Sequence, residues 1–148
     1  MLKEARRSGQ NAQPLFRGKS LMTRIVLVVD DSKLARMVVK SILAKTRAGW
    51  RIVEAADARE ALDLLTTEAV DIALIDFNMP DHDGLWLAAE IRAGNPDMPI
   101  AILSANAQDA ILARARELDV GFVEKPLSEE ALAAFLSGAA LKLRRAGK

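Results

Sequence analysis

Three stretches of the chain, residues 25–29 (IVLVV), 72–75 (IALI) and 99–103 (PIAIL), are apolar almost without interruption. Side chains on a strand alternate between faces, so a run lacking polar alternation belongs to a strand covered on both sides. That is the condition of a parallel sheet between layers of helices. Residues 51–54 (RIVE) and 121–123 (GFV) read as two shorter strands. Helical spacing fills the intervals. Leu34, Met37, Val38, Ser41 and Ile42 form a stripe of spacing three and four, and Asp57 with Glu60 makes a capping box ahead of Ala61, Leu62 and Leu65. Leu87, Ala88 and Ile91 mark a third helix, and Ile111, Ala115 and Leu118 a fourth. A fifth starts at Ser128, with Glu129 and Glu130 in its first turn, and carries Leu132, Phe135, Leu136, Ala139 and Leu143. Five strands alternating with five helices predict an α/β doubly wound domain with right-handed connections.

In open α/β sheets, ligands bind beyond the carboxyl ends of the strands, at the topological switch point. The first run ends in Asp30-Asp31, the third strand in Asp76, the fourth in Ser104 and the fifth in Lys125-Pro126. The second ends in Glu54-Ala55-Ala56, with no comparable group. Two like charges ~4 Å apart repel by about 4 kcal/mol at an effective dielectric near 20. Lys125 is one candidate counter-charge, but one ammonium cannot neutralise three carboxylates. A hard divalent cation with oxygen ligands could, and Mg²⁺ binds through one or two carboxylates while keeping several waters. The set reads as a phosphoryl site. Asp76, alone at its strand end, is the nucleophile; Asp30 and Asp31 hold the metal; Ser104 and Lys125 face the phosphoryl oxygens.

The segments VLVVDDS, DIALIDFNMPDHDGL, ILSA and GFVEKP resemble the receiver domain of bacterial two-component response regulators over about residues 23–143. Any one of them occurs by chance; four in order, each at a strand end, are specific. The resemblance implies a flavodoxin-like five-stranded parallel sheet of order 2-1-3-4-5 with five helices. It implies that Asp76 is the phospho-acceptor and that Asp30, Asp31, Asp76 and the backbone carbonyl of Asn78 surround Mg²⁺. Ser104 stands where Thr is commoner, and Phe122 takes the place of the aromatic switch residue, often Tyr. The Lys125–Pro126 bond is expected to be cis. The implied partners are a sensor histidine kinase or histidine phosphotransfer protein and a downstream protein target, met through the fourth helix, fifth strand and fifth helix. A phosphorylation-dependent dimer is left open. There are two departures from the pattern. The interval from Ser104 to Lys125 is about one residue short, and RELDVGF lacks the glycine usual before the fifth strand. His82 lies where Met is frequent, and Trp86 falls off the apolar stripe of its helix.

Composition sets the remaining bounds. The 148 residues suit one domain, divided as a flexible basic extension (1–21), the receiver (22–144) and a short basic tail (145–148). The absence of cysteine excludes disulfides and thiolate chemistry, and a single histidine excludes a His-rich metal site. No apolar run approaches the ~18 residues that span a bilayer, so no membrane insertion and a cytoplasmic setting are expected. The net charge of +1 conceals an acidic body between basic ends: residues 1–24 hold six Lys/Arg against one acid. Basic ends suit nucleic acid, but Phe16 is the only aromatic near those charges and no recognition helix is evident, so nucleic acid is not the expected partner. The expectation is a stand-alone phospho-acceptor signalling domain rather than an enzyme, catalysing only its own phosphotransfer and slow dephosphorylation. The alternatives are a non-phosphorylated receiver-like interaction module and a Mg²⁺-dependent aspartyl phosphatase. Asn78 opposes the phosphatase, because haloacid-dehalogenase-type enzymes place a second acid two positions after the nucleophile.

Overall fold

Each apolar run becomes a strand. The structure, a computed structural model, describes residues 23–148, so the extension expected over 1–21 lies outside the described residues. The elements in order are β1 (Ile25–Val29), α1 (Lys33–Thr46), β2 (Arg51–Ala55), α2 (Ala58–Leu65), β3 (Ile72–Asp76), α3 (Gly84–Gly94), β4 (Ile100–Ser104), α4 (Asp109–Glu117), β5 (Gly121–Glu124) and α5 (Glu129–Arg145). The strands form one parallel sheet in the order β2-β1-β3-β4-β5. The direction of winding reverses at β1, and the crevice between the ends of β1 and β3 is the switch point.

Alternation along the strands sorts their side chains into two cores. Leu27, Val29, Ala73, Ile75, Ile100 and Ile102 pack with Ala58 and Ala61 of α2, Leu87 and Ile91 of α3 and Ala115 of α4. Val26, Val28, Ile72, Leu74, Ala101 and Leu103 face the other way, against Val39 and Leu43 of α1 and Leu132 and Leu136 of α5. Every residue of β3 and β4 is buried, which is why neither strand shows polar alternation.

α1 departs from the expected stripe. Leu34, Met37 and Val38 are exposed (70%, 53% and 42%), and the buried positions are Val39, Ile42 and Leu43. Apolar residues cover more than half of this helix, so the spacing admitted two stripes, and the sheet takes the one offset by a residue. The Asp57 half of the expected capping box on α2 forms, its carboxylate accepting from Glu60 N–H (2.8 Å), whereas Glu60 reaches one residue further back and accepts from Ala56 N–H (2.8 Å). The remaining amides of that first turn are satisfied from elsewhere, since Asp81 accepts from Ala58 N–H (3.2 Å) and Arg59 N–H (3.1 Å).

The missing glycine before β5 is replaced by Asp119, which takes the left-handed conformation at φ 56°. Val120 N–H donates to Ala115 C=O and Asp119 N–H to Arg116 C=O, the double closure that ends helices at a left-handed residue. Arg92 of α3 braces this turn through Leu118 C=O (3.0 Å) and Asp119 C=O (2.8 Å). At the other end of α5, Arg145 closes the helix, and Lys148 lies against the fold through the buried Arg24 (3.0 Å) and Asp97 (3.4 Å).

Candidate functional site

The ends of β1, β3, β4 and β5 bring Asp30, Asp76, Ser104 and Lys125 to one edge of the sheet. Asp30 follows the last residue of β1, and its N–H donates to Ala55 C=O of β2 (3.0 Å). Asp76 ends β3, and Phe77 N–H donates to Leu103 C=O of β4 (3.0 Å). Lys125 follows β5, and its N–H donates to Ser104 C=O (2.9 Å). Sheet register, rather than loop conformation, sets these positions. Gly84 draws the start of α3 tight against β3: a Cβ there would lie 2.5 Å from Asp76 C=O.

Lys125 Nζ lies 2.8 Å from Asp76 Oδ1 and 3.2 Å from Asp30 Oδ2. Asp30, Asp31 and Asp76 each bring a carboxylate oxygen within 4.8 Å of the others. Asp30 and Asp76 are only 3% and 5% exposed, whereas Asp31 opens to solvent. Asp31 has no hydrogen-bond or ion-pair partner among the described residues. Burial pushes the Asp76 carboxyl above its ordinary range, the charges of Asp30 and Asp31 push the same way, and the bond from Lys125 pulls back. Burial alone would lower the Lys125 ammonium, but its bonds to Asp76 and Asp30 outweigh that and hold it above the ordinary lysine range. Three acids, two of them sharing one ammonium, leave an excess of negative charge, with an accessible, all-oxygen donor set. That set fits a hard divalent cation such as Mg²⁺, with Asp31 as the open side of the site.

The other expected residues take different places. Ser104 is buried (1% exposed), and its hydroxyl accepts from Asn106 N–H (3.0 Å), within its own loop. Asn78 is exposed, two residues beyond Asp76. Phe122 is half-buried against the core on the α2–α3–α4 face, opposite Ile102 in register. The Lys125–Pro126 bond is cis. His82 is exposed and stacks on half-buried Trp86, with centroids 3.7 Å apart and planes 12° from parallel. Sequence reasoning missed Arg36. Its guanidinium donates to Asp30 C=O (2.5 Å) and to Glu54 Oε1 (2.9 Å), and Lys40 joins Glu54 (3.0 Å). A basic residue on the first turns of the helix behind an acid pair was the only signal for it.

Comparison with known proteins settles the family. The model of the response regulator receiver domain matches residues 26–137. The chain belongs to the response regulator receiver family. Receiver domains are signalling domains rather than conventional enzymes, they generally bind Mg²⁺ at an acidic pocket, and they interact with histidine kinases and downstream targets. The chain is 35% identical over 112 residues to "Response regulator MprA" of Mycolicibacterium vanbaalenii, covering 74% of this chain and 47% of that protein. A Mycobacterium avium protein of the same name is 33% identical over 112 residues, with the same coverage of both chains. The chain thus spans about half the length of the curated relatives it matches. Among solved structures, a CheY-like receiver domain from Methanospirillum hungatei superimposes with a TM-score of 0.77 at 22% identity, over 83% of this chain and 98% of that one. CheY4 of Vibrio cholerae superimposes with a TM-score of 0.72 at 28% identity, over 79% of this chain and 98% of that one. Among the described residues, no helix of this receiver is long and apolar enough to cross a membrane.

Proposed function

We propose that this receiver accepts a phosphoryl group on Asp76 from a phosphohistidine of a sensor histidine kinase or phosphotransfer protein, in a Mg²⁺-dependent reaction in the cytoplasm. The observation that carries this is the convergence of Asp30, Asp31 and Asp76 within 4.8 Å, with Lys125 bonded to the two buried acids. Asp30, Asp31 and Asp76, with the Asn78 carbonyl, would hold Mg²⁺, which when bound offsets charge on the phosphoryl oxygens. An Asp76 oxygen attacks phosphorus, the P–N bond of the donor breaks, and its electron pair returns to the imidazole nitrogen. Lys125, already 2.8 Å from Asp76, pairs with the new acyl phosphate. Ser104, whose hydroxyl accepts from Asn106 N–H, turns its own O–H from the Asn106 carbonyl (3.4 Å) to a phosphoryl oxygen.

Output within these residues is a protein contact through the face of α4, β5 and α5. α4 is the loosest helix of this face, with Ala115 as its one buried residue. Phe122 on β5 couples that face to the site by packing alone, because it has no phenolic hydroxyl. A full switch from 1:99 to 99:1 needs about 5.5 kcal/mol of differential stabilisation, so phosphorylation shifts the equilibrium in part and the target completes it. Incubation with Mg²⁺ and acetyl phosphate tests the reading by intact mass. One phosphoryl group is expected on the wild type and none on Asp76→Asn or in excess chelator. An unmodified wild type, or an Asp76→Asn variant that is still modified, would remove the proposal.

A further inference from the structure

Asp30 is held from every side. The Asp30 N–H donates to Ala55 C=O (3.0 Å), its Oδ1 accepts from Ser32 N–H (2.9 Å) and its Oδ2 meets Lys125 (3.2 Å). Its carbonyl oxygen is taken by Arg36 Nη1 (2.5 Å). The same guanidinium places Nε on Glu54 (2.9 Å), and the side chain is only 16% exposed. Arg36 therefore links the loop carrying both acids to β2, using two nitrogens of one rigid fork. Asp31, the next residue, has no partner of its own among the described residues. The Asp30–Asp31 peptide, held at its carbonyl by Arg36, fixes where the Asp31 Cα–Cβ bond starts, and only two side-chain torsions lie between that bond and the carboxylate.

We infer that Arg36 is a positioning residue for the divalent-cation site, fixing the Asp30–Asp31 peptide so that the exposed Asp31 carboxylate meets the buried pair. The inference rests on the proposed Mg²⁺-dependent reading of the site. Glu54 faces both Arg36 and Lys40 and so offsets part of the Arg36 charge; the contribution assigned to Arg36 is geometric. Geometry and charge make opposite predictions. Removing a cation from the neighbourhood of three acids should tighten Mg²⁺ binding on Coulombic grounds, whereas releasing the peptide should weaken it. Loss of a partner that orients a metal ligand lowers affinity by roughly 10–100-fold in other sites.

The test is Mg²⁺ calorimetry on the full chain, wild type against R36M and R36K, with thermal midpoints recorded alongside. R36M should bind Mg²⁺ about tenfold more weakly, and R36K, which keeps the charge but cannot span both acceptors, should fall between. If R36M does not fold, R36K carries the comparison alone. Either variant matching or exceeding the wild-type affinity overturns the inference, whatever its thermal midpoint. A wild type that takes up no Mg²⁺ would instead bring down the site reading itself.

Discussion

Asp76 and Lys125 are mutually dependent. The acid is 5% exposed and has a second buried acid beside it, so the ammonium is what makes a charged group tolerable there. Removing one partner of a buried pair costs more than the pair contributes, because the other charge is left unmatched. Lys125→Met is expected to lower stability by about 3 kcal/mol in chelator, read by denaturant unfolding, with part of the loss recovered in Mg²⁺. Glu54 gives a pH-dependent signal away from the site. Its bond to Lys40, with Arg36 adding to it, holds its carboxyl below the ordinary glutamate range in spite of some desolvation. A carboxyl depressed on folding contributes stability that is complete above its unfolded pKa and lost as pH falls through the folded one. Glu54→Gln should therefore be less stable than the wild type at neutral pH, with the gap closing under acid, as followed by urea midpoints across pH. The site acids and Lys125 were legible in the sequence because each ends an apolar strand or lies within two residues of its end, where register dictates position. Arg36 was not, because it acts on a backbone carbonyl, and no residue type marks the acceptor.

At the scale of elements, the loop from Asp76 to α3 is tied down by its own acids. Asp83 caps α3 through Trp86 N–H (2.8 Å), and Asp81 reaches across to the first two amides of α2. Ala58 is fully buried, so its amide would lose its only acceptor in Asp81→Ala. That variant should cost about 1–2 kcal/mol, with faster hydrogen exchange at Ala58 and Arg59 and little change in the core strands. Desolvation would raise the Asp81 carboxyl, but the bonds from those two amides and from His82 N–H outweigh it and hold the group below its ordinary range. The strands and the Asp57 cap of α2 were readable from local pattern alone. The rotation of α1 was not, because helical spacing reports a face only when the opposite face is polar. The missing glycine before β5 was legible in the sequence, but its replacement by a left-handed Asp119 braced by Arg92 was not, because the bracing acceptors are backbone carbonyls.

For the whole molecule, the continuous apolar runs predict a parallel sheet between helices, the family resemblance implies the order of its strands, and that order dictates where chemistry can collect. β1 and β3 are neighbours because the winding reverses at β1, so residues 46 positions apart in the chain, Asp30 and Asp76, share one ammonium. The account's central claim is that this crevice makes an acyl phosphate at one residue. The most direct measurement is borohydride reduction of the protein after exposure to Mg²⁺ and acetyl phosphate, followed by peptide mass spectrometry, since an aspartyl phosphate is reduced to homoserine where a free carboxylate is untouched. The account predicts homoserine at position 76 and nowhere else. Homoserine at position 30 or 31, or none at all under conditions where Mg²⁺ binds, would contradict it.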